Sequence, residues 1–365
     1  MPQTEGYHVI VIGAGLSGAA LARRVAEQDR RVVVLEATEA PGGTLKRAPG
    51  LAFLGTPFPK IPYSADHDLA DSLALWKLSY ENLHLLESEL KSAGLPLRSV
   101  GSQRLAMTAS EAEAFQESTM HLKENGYTVA YEETESTLEA LSARGDAFRY
   151  VGAMKTLDDI RFESEPLIRH LLNHENITVE SDTEAYAIKP RADLGLTVWA
   201  HDHYLWADKI VIANGAHAAR LNPTFAERLE FAHVHTIVLR QMPELPAPLV
   251  LNHGRILALN DSDEDAGYLI AHGPEGVDLL RMLTPLAEQL CPDAVVTDRF
   301  SSRVADSTEP VPWIGAHPDQ PQLYALIGLG VYGASWAFVA AQQLAEMILD
   351  DQAPPLQPLN RAVTL

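Results

Sequence analysis

Residues 13–18 of this chain read Gly-Ala-Gly-Leu-Ser-Gly, and their flanks constrain the fold as much as the glycines do. Before them stands Val9-Ile10-Val11-Ile12, a β-branched apolar run that reads as a buried parallel strand. After them, residues 16–28 carry Leu16, Ala19, Ala20, Val25 and Ala26 as an apolar stripe at helical spacing. Residues 31–35, Arg-Val-Val-Val-Leu, read as a second buried strand that ends on Glu36. A strand, a glycine turn, a helix and a second strand in this order define a βαβ unit, the opening of an α/β, Rossmann-type layer. In that geometry Gly13 permits the tight turn, Gly15 lets the backbone approach a pyrophosphate, and Gly18 lets the helix pack close to the sheet. Leu16 and Ser17 begin the helix whose positive end faces the phosphates. Glu36 would accept hydrogen bonds from ribose hydroxyls, and its charge disfavours a 2′-phosphate.

Two further glycine clusters favour FAD over NAD. Pro41-Gly42-Gly43-Thr44, soon after the second strand, brings more backbone up to a long ligand. Near the other end, residues 323–327 read as a strand that feeds Gly328-Leu329-Gly330-Val331-Tyr332-Gly333 and a helix over 334–349. That arrangement makes a second helix N-terminus, expected to stabilise negative charge on a reduced flavin. Tyr332 projects from this turn and is a candidate to line the site, with packing as the alternative.

Between these ends the pattern mixes helices and short strands. Residues 41–62 read as loop, and 69–93, 111–126, 132–144 and 166–173 as helical. Residues 177–179 read as a strand, 184–188 with 196–200 as a hairpin, and 207–216 as a buried strand closed by glycine. Residues 230–300 alternate apolar and polar runs around a helix at 276–290, the pattern of an antiparallel sheet in a second lobe. At 365 residues two lobes are expected. Residues 1–85, 150–225 and 300–365 are assigned to the FAD-binding lobe, and 86–149 and 226–299 to a substrate lobe.

The net charge of −21, from 49 acidic and 28 basic side chains, repels phosphate backbones and anionic lipid heads. Nucleic acid is therefore disfavoured as a partner, although tRNA is not excluded. The lone cysteine, Cys291, allows no intramolecular disulfide and no multi-thiolate metal site. The 14 histidines show no ligand spacing, so no metal is expected. A polar N-terminus and the lack of a long apolar run point to a cytoplasmic protein without a membrane span.

The residues Gly13–Gly18, Glu36, the run from Asp208 to Gly215, Arg303 with Pro312-Trp313-Ile314-Gly315, and Gly328–Gly333 together resemble the D-amino-acid oxidase (DAO) superfamily, which includes glycine oxidase and sarcosine oxidase. Ala213-Asn214-Gly215, the turn at 326–333 and Pro358-Leu359-Asn360-Arg361 are similar to the FAD domain of bifunctional tRNA 5-methylaminomethyl-2-thiouridine biosynthesis proteins. The resemblance implies non-covalent FAD, hydride transfer to flavin N5 from a carbon beside nitrogen, and a small amine or amino acid as substrate. It adds Ala37, Thr44, Ala185, Ala213, Gly215, Val331, Gly333 and Ala334 to the cofactor contacts. Arg303 is the implied grip on a substrate carboxylate, although it stands one residue further from Pro312 than the family spacing. A tRNA-modifying flavoenzyme and a non-catalytic flavin-binding subunit are the alternatives.

Overall fold

A parallel strand covered on both faces needs no polar alternation, and Val9, Ile10, Val11 and Ile12 are all buried. The computed structural model describes residues 7–44, 49–55, 69–133, 150–191, 195–201, 203–251, 255–261, 266–290, 293–309, 311–350 and 357–359. In it Tyr7–Ile12 runs parallel to Val32–Leu35 on one side and to His203–Ile212 on the other. The sheet continues beyond Val32–Leu35 to Ile177–Glu180, and beyond His203–Ile212 to Gln320–Ile327, Trp313–His317 and Gln357–Pro358.

The pleat divides this sheet's apolar side chains between two cores. Val9, Val11 and Val34 pack with Leu16–Ala26, Ser164–Leu172 and Ala337–Leu349, and Leu69–Ala93 lies against the same cluster. Ile10, Ile12, Val33 and Leu35 face the other way, where Val198, Leu205 and Phe225 cover them. Val198 belongs to an antiparallel extension, Ala185–Pro190 and Leu196–Ala200, that pairs with the first half of His203–Ile212, where Val198 stands opposite Leu205.

A second, eight-stranded sheet follows the order Val295–Ser307, Leu229–Arg240, Ala266–Pro274, Ile256–Asn260, Leu249–Leu251, Ser102–Ala106, Gly152–Thr156, Val129–Glu133. Every pairing is antiparallel except that of Leu249–Leu251 with Ser102–Ala106. Leu279, Leu283 and Ala287, from the start of helix Leu280–Leu290 and the residue before it, cover one face. The opposite face carries Val250, Leu257, Leu259 and Ile270, which meet Leu51 and Phe53.

The structure corrects several expectations. Residues 41–62 are not all loop, because Gly50–Ala52 pairs with Ile160–Phe162 in a small third sheet. Glu132 and Glu133, expected in a helix, end strand Val129–Glu133, and the rest of 132–144 lies outside the described residues. The helix expected at 111–126 is Ala109–Glu124; Thr108 and Glu111 form a reciprocal capping box at its start. The last helix begins at Ala337 after a 3₁₀ turn, Gly333–Ser335. Strand Gly152–Thr156 hydrogen-bonds in the second sheet although the sequence placed it with the first, and Val295–Ser307 carries the second sheet past residue 299. Among the described residues no helix is long and apolar enough to cross a membrane.

Candidate active site

The turn after the first strand is built as the glycines require. Gly13 has φ +113°, and a Cβ there would stand 2.7 Å from the Ala213 carbonyl oxygen. A Cβ on Gly18 would stand 2.0 Å from the Gly13 carbonyl oxygen, so only glycine lets the helix start so close to the turn. Gly15 caps that helix with no side-chain hydrogen bond, and the first turn holds no acidic residue. Its amide groups are therefore available to an anion.

These elements frame a cavity of about 690 Å³ at the carboxyl ends of the parallel strands, within the usual range for a cofactor site. Gly13, Gly15, Leu16, Ser17, Glu36, Ala37, Gly43, Thr44, Ala185, Ala213, Gly215, Gly330, Val331 and Gly333 line it. Glu36 is 9% exposed and already engaged: one oxygen accepts from the Ala14 amide at 3.0 Å, the other from the Thr38 amide at 3.1 Å and hydroxyl at 3.0 Å. A Cβ on Gly42 would meet the same carboxylate at 2.2 Å. Of roughly four lone-pair positions on a carboxylate, about one remains for a ligand. Asn214 also lines the cavity, but its Oδ1 is buried, with no hydrogen-bond partner among the described residues. The helix start and Glu36 thus fit the ADP half of FAD: amides for phosphate, an acceptor for a ribose hydroxyl.

A smaller cavity of about 60 Å³ adjoins the first between the two sheets, and Thr44, Ser302, Val304 and Val331 line both. Its walls are mainly apolar, with Leu51, Phe53, Leu257, Ile270 and Phe300; its polar groups include Arg255, His272 and Tyr332. Tyr332 meets Phe53 and His272 edge-on, at ring distances of 5.4 and 5.8 Å. Burial pushes its phenol well above the ordinary range, which keeps it protonated.

Below Phe53 lies Arg104, buried in strand Ser102–Ala106. Its guanidinium donates to the Leu54 carbonyl at 2.8 Å and to Ser102 and Thr156 hydroxyls at 3.0 Å, 4.0 Å from Asp159. Burial lowers its pKa, and the Asp159 carboxylate opposes this.

Several expected residues serve packing instead of lining a cavity. Gly18 holds the helix to the turn, and a Cβ on Gly328 would meet Ser307 at 2.9 Å. The Ala334 carbonyl accepts from Asn82 at 2.9 Å. Asn82, from the long helix Leu69–Ala93, also accepts from the Phe338 and Val339 amides at 2.9 and 3.2 Å. The second helix N-terminus is therefore capped by protein, although Ala337 still lines the large cavity.

Arg303 requires a larger correction. It lines the edge of the large cavity and not the small one. Its Nε donates to Glu275 at 2.6 Å, and its guanidinium lies 4.2 Å from the centre of the Phe231 ring. Phe300, Ser302 and Val304 of the same strand line the small cavity, so the pleat turns Arg303 to the opposite face. The family spacing falls on Val304. Sequence reasoning missed Arg104, Arg255, His272 and Asn82; the one signal the sequence carries for Arg104 is a lone cation in the run Ser102–Ala106. Cys291 lies outside the described residues. Among the described residues no group of three or more His, Cys, Asp or Glu side chains could hold a metal ion.

The chain matches the model of the DAO family, FAD dependent oxidoreductase, over residues 8–347. A comparison with curated proteins finds no match. Among solved structures it is similar to glycine oxidase from Geobacillus kaustophilus, at 18% identity and TM-score 0.77, with 97% of each chain covered. It is also similar to L-proline dehydrogenase from P. horikoshii, at 14% identity and TM-score 0.76, covering 95% of this chain and 94% of that one. L-amino acid deaminase from Proteus myxofaciens, in complex with anthranilate, gives 12% identity and TM-score 0.75, over 97% of this chain and 92% of that one. At such identities these structures carry the fold, and the family match carries the cofactor chemistry. With a glycine turn, a helix start and a carboxylate arranged around one large cavity, and with that match along nearly its whole length, the chain belongs to the DAO family of FAD-dependent oxidoreductases.

Proposed function

We propose that this enzyme oxidises the carbon–nitrogen bond of a small amino acid or amine, and that the smaller cavity receives it. The observation that carries the reading is the junction of the two cavities at Thr44, Ser302, Val304 and Val331. Bound FAD supplies the two-electron acceptor. The start of helix Leu16–Ala26 would hold the pyrophosphate and Glu36 a hydroxyl of the adenosine half, while Val331 lines both cavities and Tyr332 the smaller one. Leu51, Phe53, Leu257 and Phe300 exclude water and orient the substrate's reacting carbon, the contribution that hydride abstraction needs most from a protein. The neutral Tyr332 phenol is a hydrogen-bond donor at that wall.

A tRNA-modifying role is a second reading. One feature favours it: an exposed strip where Lys189 lies over Trp199 at 4.5 Å and Arg191 over Trp206 at 4.6 Å, a surface suited to bases and phosphates. The strip sits at the amino-terminal half of His203–Ile212, whereas the cavity lies at that strand's other end, and the charge of −21 opposes a polyanion.

Anaerobic mixing of the yellow holoprotein with a panel of amino acids, N-methyl amino acids and amines tests the proposal. Bleaching of the flavin band by a member of the panel, with the imine-derived carbonyl product formed, is the expected result. A flavin that no panel member reduces, but that dithionite does, would point to the non-catalytic subunit.

A further inference from the structure

We infer that Arg255 selects the charge class of the substrate, binding a carboxylate at the mouth of the small cavity while the rest of the molecule lies against Phe53, Leu257 and Phe300. The inference rests on the proposal that this cavity receives the reducing substrate.

The chain carries 49 acidic side chains against 28 basic ones, yet among the described residues no Asp or Glu lines this cavity, and Arg255 is the one Lys or Arg that does. The other arginines around the two cavities are spoken for. Arg104 lies 4.0 Å from Asp159, Arg161 3.3 Å from Asp261, and Arg303 2.6 Å from Glu275. Arg255 is exposed and has no ion-pair partner among the described residues. Asp306 shares the strand face of Ser302 and Val304, but it accepts from the Val331 amide at 3.3 Å, and burial raises its pKa toward the neutral form.

The backbone of Arg255 is fixed. Its carbonyl accepts from the His272 amide at 3.0 Å, which ties it to strand Ala266–Pro274 just before Ile256–Asn260 begins. From there a side chain of that length can lay its methylenes on the apolar wall and hold its planar fork at the lip. A carboxylate gains two parallel hydrogen bonds from such a fork, and a cationic amine with no carboxylate gains only repulsion. The position that the family spacing marks for an arginine holds Val304, so the charge is supplied from a different strand of the same sheet.

The test uses the FAD-loaded protein and three probes that share a phenyl group and differ in head group: phenylacetate, phenylacetamide and phenethylamine. Binding is read from the perturbation of the flavin absorbance band, which needs no turnover. Phenylacetate is expected to bind the wild type best. Arg255→Gln should weaken it by roughly two- to fivefold, the scale of one ion pair at an exposed residue. Arg255→Lys should fall between, and phenylacetamide should be indifferent to both changes. Flavin content and thermal midpoint, measured on each variant, confirm that the exposed substitution leaves the fold intact. Phenylacetate affinity unchanged in Arg255→Gln, no phenylacetate binding to the wild type, or phenethylamine as the tightest probe each overturns the inference. So does a loss confined to Arg303→Gln, which would return the carboxylate to that residue. A failed substrate screen bears on the oxidation reading alone, because the probe titrations do not depend on it.

Discussion

Replacing Glu36 by Gln tests the cofactor cradle with the least change of shape. The carboxylate accepts from the Ala14 amide on one oxygen, and from the Thr38 amide and hydroxyl on the other. Glutamine keeps one oxygen. If that oxygen stays with Thr38, the new NH₂ faces the Ala14 N–H, donor against donor across a contact that was 3.0 Å. The opposite rotamer sacrifices both Thr38 bonds. Each charge-assisted bond is worth about 1.5–3 kcal/mol, and the favourable rotamer loses one, partly relieved by a small shift of the loop. The apoprotein should therefore lose about 2 kcal/mol of stability. The remaining lone pair, proposed for the adenosine ribose, is lost as well, so FAD affinity should fall a further roughly 10- to 100-fold. Denaturant unfolding of the apoprotein measures the first number, and quenching of flavin fluorescence on refilling measures the second. ADP, which carries the same ribose, should show the second loss in competition, whereas FMN should not. FAD affinity within about threefold of wild type, with stability reduced as calculated, would falsify the ribose role and leave Glu36 as a loop anchor only.

Arg104→Met should cost about 3 kcal/mol in denaturant unfolding, because it leaves the buried Asp159 carboxylate with the Leu54 amide and Thr156 hydroxyl but without its cation; Arg104→Met with Asp159→Asn should recover part of that, and a double mutant no better than the single one would refute the pairing. Asn82→Leu leaves the Ala334 carbonyl and the Phe338 and Val339 amides without their partner, so the protein should purify flavin-depleted and less stable by at least about 3 kcal/mol; full flavin occupancy would show that the turn before the last helix holds its shape unaided. Tyr268, raised to about 12 chiefly by burial and by its hydrogen bond to Asp261, ionises earlier in the unfolded chain than in the fold, so stability should fall as pH rises from about 10 toward 12. Tyr268→Phe should flatten that decline, and identical alkaline curves for the two proteins would count against the assignment.

What the sequence revealed, and what it hid, follows from how far apart the interacting residues stand. The first βαβ unit was legible because its main requirements are local: a left-handed turn at Gly13, a close approach of Gly18 to the Gly13 carbonyl, apolar strands on both sides. The contacts that hold the other end of the cavity are not local. Asn82 reaches Ala334, Phe338 and Val339 from more than 250 positions away, and no periodicity marks an asparagine in a long helix as the cap of another helix. Gly50–Ala52 was hidden for the same reason, since three residues become a strand only beside Ile160–Phe162. Arg303 was hidden differently. The spacing to Pro312 was off by one, and along a strand an offset of one turns a side chain to the opposite face. Within Val295–Ser307 the cavity side belongs to Phe300, Ser302 and Val304, while Arg303 rests on Phe231 and pairs with Glu275. Moving the arginine by one position would place a guanidinium where Val304 now closes the apolar wall; a valine there removes the strand's own cation from the cavity. On the reading proposed above, an anion that enters is met from elsewhere on the sheet, and among the described residues Arg255 is the cation that lines this cavity.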